Sequence, residues 1–502
     1  MPKISVIGGG PGGYAAAFEA AARGAEVTLF EQRRLGGTCL NVGCIPTKTI
    51  LRSAHALRDL ARCSDFALDG AGDISGVSID VAALRKRKDG VVDELVSQLE
   101  DSARRLKVTV VEGKARLVSA NTVVVEPAVP LAGERSAAAG ADDSARDDDA
   151  VTGTSAVAGA GESVGAAYTA DAVIIATGSV PVVLPALDHP FIWTSDDALA
   201  LTVIPRELII VGGGVIGVEF ACAYAAFGST VHVVELAPQV LPGFDTRAQR
   251  TLTAALKAQG VQLHVGTSVE AARQTGDAGR VVAELSDGTE LEADVLFSAV
   301  GRAPRTAGFG FEELGLAYDR RALKVDEHLR TNVAGVYAVG DAIGGMMLAH
   351  VAEAEGRAAA RNALATLAGA PATETVDYHA IPACVYTFPE LASVGLHSAA
   401  AKEAGYAPLS AIVKYSANGK ALAEGEPEGY VELVADAATG RLLGCQIVGA
   451  HAVELIATPA EALSAQMTIA DFQRVVFAHP TVSELLHNAA EALAAKHEAA
   501  QR

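Results

Sequence analysis

Residues 4–13 read ISVIGGGPGG, an apolar run that leads directly into a glycine-rich turn. Gly8, Gly10 and Gly13 satisfy the spacing G-x-G-x-x-G, in which glycines permit a tight turn and close approach of the backbone to a pyrophosphate. After an alanine-rich stretch, a second apolar run ends at Glu31, where an acid can bond a ribose hydroxyl. The pattern predicts a strand–turn–helix–strand unit that binds a dinucleotide.

The same unit recurs later in the chain at a constant offset of 204 residues. The positions that correspond to Gly8, Gly10, Gly13 and Glu31 are Gly212, Gly214, Gly217 and Glu235. Because a complete fingerprint is hard to obtain twice by chance, we expect two dinucleotide sites. The alternative is that one unit is a fold element without a ligand.

A third motif lies between these two units. Cys39 and Cys44 are separated by four residues, and Lys48 follows one helical turn after the second cysteine. Gly43 permits a bend between the cysteines, and Pro46 favours a helix start whose N-terminus would stabilise a thiolate at Cys44. Two interpretations are open, a reactive dithiol–disulfide pair and two buried structural cysteines. The surrounding glycines and the lysine favour the reactive pair.

Composition restricts the function. The chain has 502 residues, half of them apolar, and a formal net charge of −20. This fits a multidomain α/β enzyme and disfavours nucleic acid or an anionic membrane as the main partner. No apolar run is long enough to span a bilayer, and a strand beginning at Ile4 leaves no room for a signal peptide. We therefore expect a cytoplasmic protein, and no motif indicates a metal site.

Two segments depart from the nucleotide-binding pattern. Residues 130–167 are dense in alanine, glycine, serine and aspartate and carry a local charge of −5. We expect a disordered surface insertion there, with an acidic docking segment as the alternative. From about residue 372, short strand-like segments alternate with turns, which predicts a separate antiparallel α+β domain. Near its end lie His479 and Glu484.

Together these motifs resemble the class I pyridine nucleotide-disulfide oxidoreductases and, within that family, the dihydrolipoamide dehydrogenases. The redox stretch reads CLNVGCIPTK, and residues 347–350 read MLAH, both similar to the lipoamide branch. The C-terminal residues hold neither the vicinal cysteines of mercuric reductases nor the redox tail of large thioredoxin reductases. Phe388 and the pair Gly419-Lys420 depart from the family pattern, and either could alter substrate preference or interface packing.

The resemblance implies an α/β fold with two Rossmann-like dinucleotide-binding domains, of the glutathione reductase type, and a C-terminal α+β dimerisation domain. The FAD-binding domain would comprise residues 1–199 and, as a second part with a central domain, residues 301–371. Residues 200–300 would bind NAD, and residues 372–502 would form the dimerisation domain. NAD is favoured over NADP because Glu235 would repel a 2′-phosphate.

The resemblance also assigns roles. Cys39 and Cys44 would form the redox disulfide, in which Cys39 exchanges with the substrate and Cys44 faces the flavin. His479 would take the proton of a substrate thiol, and Glu484 would orient its imidazole. Lys48 would lie by the flavin.

The resemblance further implies two sets of cofactor-binding residues. For FAD these are Gly8, Gly10, Gly13, Glu31, Lys48, Thr177, Gly178, Asp341 and Ala349, and for NAD they are Gly212, Gly214, Gly217, Glu219, Glu235 and Gly301. Lys48 would pair with Glu219, and a helix N-terminus at Ala349 would stabilise negative charge on the flavin ring.

The implied activity is oxidation of protein-bound dihydrolipoamide to lipoamide, with electrons passing through the disulfide and FAD to NAD. His479 would reach the cysteines across the interface of a homodimer. The partner would be a lipoyl-bearing protein of a 2-oxo-acid dehydrogenase or glycine-cleavage system. Two alternatives are a related flavin disulfide or metal-ion reductase that uses NAD(P)H, and a flavoprotein assembly subunit of a 2-oxo-acid dehydrogenase complex.

Overall fold

The computed structural model describes residues 1–68, 74, 76–126, 164–276 and 279–502. The strands are β1 Lys3–Ile7, β2 Glu26–Glu31, β3 Thr109–Glu112, β4 Lys114–Ser119, β5 Thr122–Glu126, β6 Ala167–Thr169, β7 Ala172–Ile175, β8 Ser179–Pro181, β9 Glu207–Val211, β10 Thr230–Glu235, β11 Gln262–Val265, β12 Val269–Thr275, β13 Arg280–Leu285, β14 Glu290–Ala293, β15 Val295–Ser298, β16 Arg302–Pro304, β17 Tyr318–Asp319, β18 Ala322–Leu323, β19 Val336–Ala338, β20 Pro382–Val385, β21 Leu391–Gly395, β22 Pro408–Lys414, β23 Tyr430–Asp436 and β24 Leu442–Val448.

The helices are α1 Pro11–Ala22, α2 Gly37–Val42, α3 Cys44–Ala61, α4 Val81–Arg105, α5 Ser195–Ala200, α6 Val215–Ala226, α7 Thr246–Ala258, α8 Ala349–Leu367, α9 Ser398–Glu403, α10 Gly419–Ala423, α11 Ala452–Leu455, α12 Ala457–Ser464, α13 Ile469–Gln473 and α14 Glu484–Ala500. Among the described residues, none of these helices combines the length and the apolar character that crossing a bilayer requires.

Two parallel sheets carry the repeated units, with strand orders β19-β7-β1-β2-β3 and β11-β10-β9-β15. The offset of 204 residues holds for whole elements. β9, α6 and β10 begin and end 204 residues after β1, α1 and β2. The central strands are buried and apolar along most of their length, which is typical of parallel strands covered by helices on both faces. Both glycine-rich turns therefore lie at the carboxyl ends of central strands.

An antiparallel sheet of three strands accompanies each parallel sheet, β4-β5-β6 in the first unit and β12-β13-β14 in the second. The sequence did not predict β12, β13 or β14. Alanine and glutamate are frequent in these strands, and both residue types favour helices in isolation. Pairing with neighbouring strands overrides that local preference.

The predicted insertion, residues 130–167, lies outside the described residues as far as residue 163. Its last residues are described. The Gly165 N–H donates to the Val125 carbonyl oxygen at 2.8 Å, and Ala167 is the first residue of β6, which pairs with β5. The boundary predicted at residue 167 therefore falls too late.

Close packing at the second glycine-rich turn depends on Gly217. A Cβ atom at this position would overlap the Gly212 carbonyl oxygen, which is backbone and cannot move aside. Gly214 differs, since a Cβ atom there would meet no atom within 4 Å and its φ of −73° suits any residue. The two glycines of one motif thus serve different purposes. Gly217 permits the packing of α6 on β9, whereas Gly214 leaves the edge of the turn open to a ligand.

We expect Gly217→Ala to destabilise the second unit by about 3 kcal/mol or more, because overpacking against backbone cannot relax. Gly214→Ala should change stability by no more than about 0.5 kcal/mol. It should nevertheless weaken binding of the dinucleotide, which the resemblance implies to be NAD, because the methyl group would stand where the pyrophosphate approaches. Thermal unfolding and NAD titration of both variants check this. Equal loss of stability in the two variants would contradict it.

The C-terminal residues form a five-stranded antiparallel sheet of order β20-β21-β24-β23-β22. The sequence predicts strands near residues 382–387, 411–415, 430–436 and 441–448, which correspond to β20, β22, β23 and β24, and it misses β21. Helix α14 packs across β22 and β23 through buried residues at helical spacing, including Leu485, Leu486, Ala489 and Leu493. This packing fixes the first turn of α14, where Glu484 lies.

Candidate active site

Cys39 and Cys44 meet at a break between two helices. α2 ends at Val42, Gly43 has φ −150° and ψ −114°, and α3 begins at Cys44. A Cβ atom on Gly43 would lie 2.8 Å from the Thr38 carbonyl oxygen, so the bend needs glycine. Both cysteines are free thiols in this structure, and their side chains are hydrogen-bonded to each other. The structure therefore brings the two sulfurs together, and their oxidation to a disulfide stays a prediction.

Cys44 is the thiol that is poised to ionise. The hydrogen bond from Cys39 lowers the pKa of Cys44 to about 7, against the effect of burial, and the Lys48 ammonium lowers it further. The same coupling and burial raise the pKa of Cys39. When the pair loses its first proton, the thiolate therefore resides mainly on Cys44, at the N-terminus of α3.

We expect thiolate absorbance in the reduced protein, freed of any flavin, to titrate with a midpoint near pH 7. Thiolate is lost below that pH because Cys44 takes up a proton. Lys48→Gln should move the midpoint upward, since it removes a positive charge beside the sulfur, and Lys257→Gln, at the end of α7, should not. Ultraviolet absorbance measured against a Cys44→Ser reference checks this, and equal effects of the two lysine variants would contradict it.

Lys48 lies in a partly buried polar cluster. Its Nζ is 2.8 Å from Glu219 Oε2 and 3.0 Å from Glu219 Oε1. The backbone N–H of Tyr386 donates to Glu219 Oε1 at 3.0 Å, and the Tyr386 ring centroid lies 4.4 Å from Nζ. The predicted proximity of Lys48 and Glu219 is therefore present, whereas sequence reasoning missed Tyr386, which no spacing signal connects to the cysteines.

The two acids at the strand ends are held in the same way. Glu31 accepts hydrogen bonds from the Gly9 N–H at 2.7 Å and the Arg33 N–H at 2.9 Å. Glu235 accepts the equivalent bonds, from the Gly213 N–H at 2.6 Å and the Ala237 N–H at 2.7 Å. Each carboxylate therefore lies beside its glycine-rich turn.

The helix N-termini at these turns are suited to anions. α1 begins after Gly10 and α6 after Gly214, and no side chain caps either helix. Their first N–H groups can therefore bind a pyrophosphate. The chain fits two dinucleotides by this criterion, with an acid placed at each turn for a ribose.

The remaining candidates for the first cofactor lie on three other segments. Asp341 Oδ2 accepts a hydrogen bond from Ser179 Oγ at 2.5 Å. Thr177 Oγ1 donates to the Arg305 carbonyl oxygen at 2.6 Å, and Gly178 follows with φ +74°. α8 begins at Ala349 without a side-chain cap, so its N–H groups are also available to a ligand.

Gly301 and His350 lie near these segments. Gly301, proposed for the second cofactor, has φ +110° at the turn between β15 and β16. His350 Nε2 lies 2.9 Å from the Pro382 carbonyl oxygen. Its imidazole is thus used in a backbone contact, and the helix N-terminus is the part of this turn that can act on a ligand.

His479 and Glu484 form a second polar centre. His479 Nδ1 lies 2.9 Å from Glu484 Oε1, and the Thr481 N–H donates to Glu484 Oε2 at 2.9 Å. These contacts hold the pKa of Glu484 below its usual range, so the carboxylate is ionised and can orient the imidazole. The His479 side chain is 81% exposed. Within the described part of the chain its hydrogen-bond partner is Glu484, and its other ring nitrogen faces outward.

Among the residues that the structure describes, no group of three or more histidine, cysteine, aspartate or glutamate side chains is placed to hold a metal ion.

Two protein-family models match the chain. The model described as pyridine nucleotide-disulphide oxidoreductase matches residues 2–356, and the model described as the dimerisation domain of that family matches residues 381–490. The chain belongs to the pyridine nucleotide-disulphide oxidoreductase family. The predicted family and fold class are thereby confirmed, and the antiparallel sheet of residues 382–448 lies within the dimerisation domain.

Curated relatives include dihydrolipoyl dehydrogenases of this family. The protein from Haloferax volcanii is 36% identical over 97% of this chain and 95% of its own length. One from Bacillus subtilis is 36% identical with the same two coverages, 97% and 95%. The protein from Trypanosoma brucei brucei is 38% identical over 98% of this chain and 96% of its own length.

Solved structures of the same fold include LpdA from Mycobacterium tuberculosis, with a TM-score of 0.84 and 25% identity over 98% of this chain and 99% of that chain. Another is the HOCl-induced flavoprotein disulfide reductase RclA from Escherichia coli, with a TM-score of 0.79 and 26% identity over 97% of this chain and 99% of that chain.

Two further contacts in this pyridine nucleotide-disulphide oxidoreductase were not predicted. Arg302 Nε donates to Ser179 Oγ at 2.8 Å and so supports the bond from Ser179 to Asp341. Tyr14 donates its hydroxyl proton to Glu353 Oε1 at 2.6 Å, joining α1 to α8 within electrostatic reach of Cys39. Both join residues more than 120 positions apart, which no local pattern reveals.

Proposed function

We propose that this protein oxidises protein-bound dihydrolipoamide to lipoamide and passes the electrons to NAD, as a dihydrolipoyl dehydrogenase. The observation that carries the proposal is the contact between Cys39 and Cys44 at the start of α3, beside Lys48 and Glu219. Curated dihydrolipoyl dehydrogenases at 36–38% identity, matched over nearly the full chain, support the substrate.

The thiol chemistry proceeds in two exchanges. A substrate thiolate attacks Cys39 Sγ of the oxidised pair, the bond between the two cysteines breaks, and Cys44 leaves as the thiolate. The second substrate thiolate then attacks the substrate sulfur of the mixed disulfide. This closes the lipoamide ring and releases Cys39 as a thiolate. Two electrons and two protons leave the substrate. Cys44 is the better leaving group because its pKa is lowered.

His479 would accept the substrate protons. Since Nδ1 of His479 contacts Glu484 while most of the side chain is exposed to solvent, we infer that it works on a cysteine pair outside its own chain. The protein would then be a homodimer, with His479 of one subunit completing the pocket at the other subunit's Cys39. The dimerisation domain at residues 381–490 supports this arrangement.

FAD and NAD are the cofactors. When bound, FAD would supply a two-electron acceptor for the dithiol and a hydride donor for NAD. We propose that the FAD-binding residues are those at the first turn and along Thr177, Gly178, Asp341 and Ala349, and that Lys48 lies by its ring. Gly212, Gly214, Gly217, Glu219, Glu235 and Gly301 would hold NAD.

Glu235 favours NAD over NADP. Its carboxylate accepts hydrogen bonds from two backbone N–H groups, which hold it beside the second glycine-rich turn. A 2′-phosphate there would meet like charge. The cytoplasm is the location we propose, since a reversible dithiol suits a reducing compartment.

Anaerobic titration of the purified holoprotein with dihydrolipoamide tests the function. We expect a yellow protein that develops a long-wavelength thiolate-to-flavin absorption band, and steady-state turnover with NAD that greatly exceeds turnover with NADP. Glutathione disulfide and mercuric ion, offered with NADH or NADPH, serve as the comparison substrates. Faster reduction of either than oxidation of dihydrolipoamide would reject the proposed substrate in favour of a related reductase.

A further inference from the structure

Lys48 is held by side chains from three parts of the chain. It lies on α3 of the first nucleotide unit, and its Nζ is 2.8 Å from Glu219 Oε2 on α6 of the second. Tyr386, the residue after β20, places its ring centroid 4.4 Å from the same Nζ. One ammonium thus joins both nucleotide units to the dimerisation domain.

Tyr386 contacts both members of the ion pair. Its backbone N–H fixes the Glu219 carboxylate at 3.0 Å, and its ring faces the Lys48 ammonium. A lysine side chain is long and flexible, and a single carboxylate would leave Nζ free to swing. The Tyr386 ring covers a second side of the ammonium and attracts it through its π-electrons. Lys48 is 29% exposed, so water competes for the ammonium wherever the ring does not cover it.

Among the described residues five titratable groups face Lys48, and three of them, Cys39, Cys384 and Tyr386, are uncharged at neutral pH. Burial raises the pKa of Cys384 to about 11 and that of Tyr386 to about 12. Glu219 and Cys44 are the charged groups that remain. The distance of the ammonium from Cys44 decides how strongly its positive charge stabilises the Cys44 thiolate.

We propose that the Tyr386 ring is a positioning residue, which holds the Lys48 ammonium beside the redox pair and so lets the dimerisation domain set the charge environment of Cys44. This rests on the proposed function, in which Cys44 is the redox thiol beside the flavin. The tyrosine hydroxyl has no part in it, because the ring face and the backbone N–H make the contacts.

The test measures the pH midpoint of the long-wavelength absorption band in the reduced holoenzyme. Tyr386→Leu should raise the midpoint by about 0.5 pH unit or more, equivalent to a threefold or greater loss of thiolate on the acid side. Tyr386→Phe keeps the ring and should leave the midpoint unchanged. In a Lys48→Gln background, Tyr386→Leu should produce no further shift, because the ring acts through the ammonium.

Thermal unfolding and light scattering establish that each variant is folded and has the wild-type assembly state. Tyr386→Met serves as a second variant without the ring if the leucine variant does not fold. An unchanged midpoint in the folded ring-less variants, an equal shift in Tyr386→Phe, or a full shift in the Lys48→Gln background would each overturn the proposal. Dithionite reduces the enzyme in this experiment, so the band reports on Cys44 even if dihydrolipoamide is not the substrate.

Discussion

Cys44→Ser should lower the rate of dihydrolipoamide oxidation by about 10⁴-fold or more, the size of loss expected when a covalent participant is removed. A serine oxygen cannot form a bridge with Cys39, so the enzyme has no disulfide to exchange with the substrate. Cys39→Ser should cause a loss of the same size. Steady-state turnover with NAD measures both.

The two variants should nevertheless differ in spectrum. Cys39→Ser keeps Cys44, whose thiolate the Lys48 ammonium still stabilises, and should retain a long-wavelength band. Cys44→Ser should show none. The matched control is Cys63→Ser, which changes a single cysteine whose Sγ contacts the Asp59 carbonyl oxygen at 3.5 Å, at the end of α3. If the control lost as much activity, or if Cys44→Ser stayed active, the redox pair would be wrong.

His479→Gln should lower turnover by about 10²- to 10⁴-fold, the range for loss of a general acid–base group. Glutamine keeps the polarity of the position but cannot accept a proton. Glu484→Gln should cost less, because it weakens the orientation of the imidazole and leaves the imidazole itself in place. The control is His487→Gln on α14, whose Nε2 lies 3.4 Å from Glu491 and which has no assigned role.

Mixing two inactive variants tests whether the pocket is shared between subunits. In a hybrid of Cys44→Ser and His479→Gln subunits, one pocket would combine both defects and the other would be intact. Random exchange should therefore restore about a quarter of wild-type activity, since half of the dimers are hybrids with one working pocket. A pocket built within one chain would give no recovery. Unmixed samples of each variant provide the baseline.

Much of the fold follows from local patterns. The turns, the strand ends and the start of α3 depend on residues within a few positions of one another, so glycine spacing and the acids at 31 and 235 predict them. For the same reason, the repeat predicted at an offset of 204 residues matches the bounds of the strands and the helix in both units. β12, β13, β14 and β21 were missed because their residues do not prefer strands locally and adopt them through pairing.

The sequence by itself determined that two dinucleotide units flank a paired dithiol, and that a histidine and a glutamate lie together near the C-terminus, because each motif is completed over a short stretch. Only the tertiary structure decided what surrounds the sulfurs. Lys48 meets Glu219 across 171 positions, and Tyr386 meets Glu219 across 167. Such contacts depend on how helices and sheets pack, which side-chain spacing along the chain does not encode.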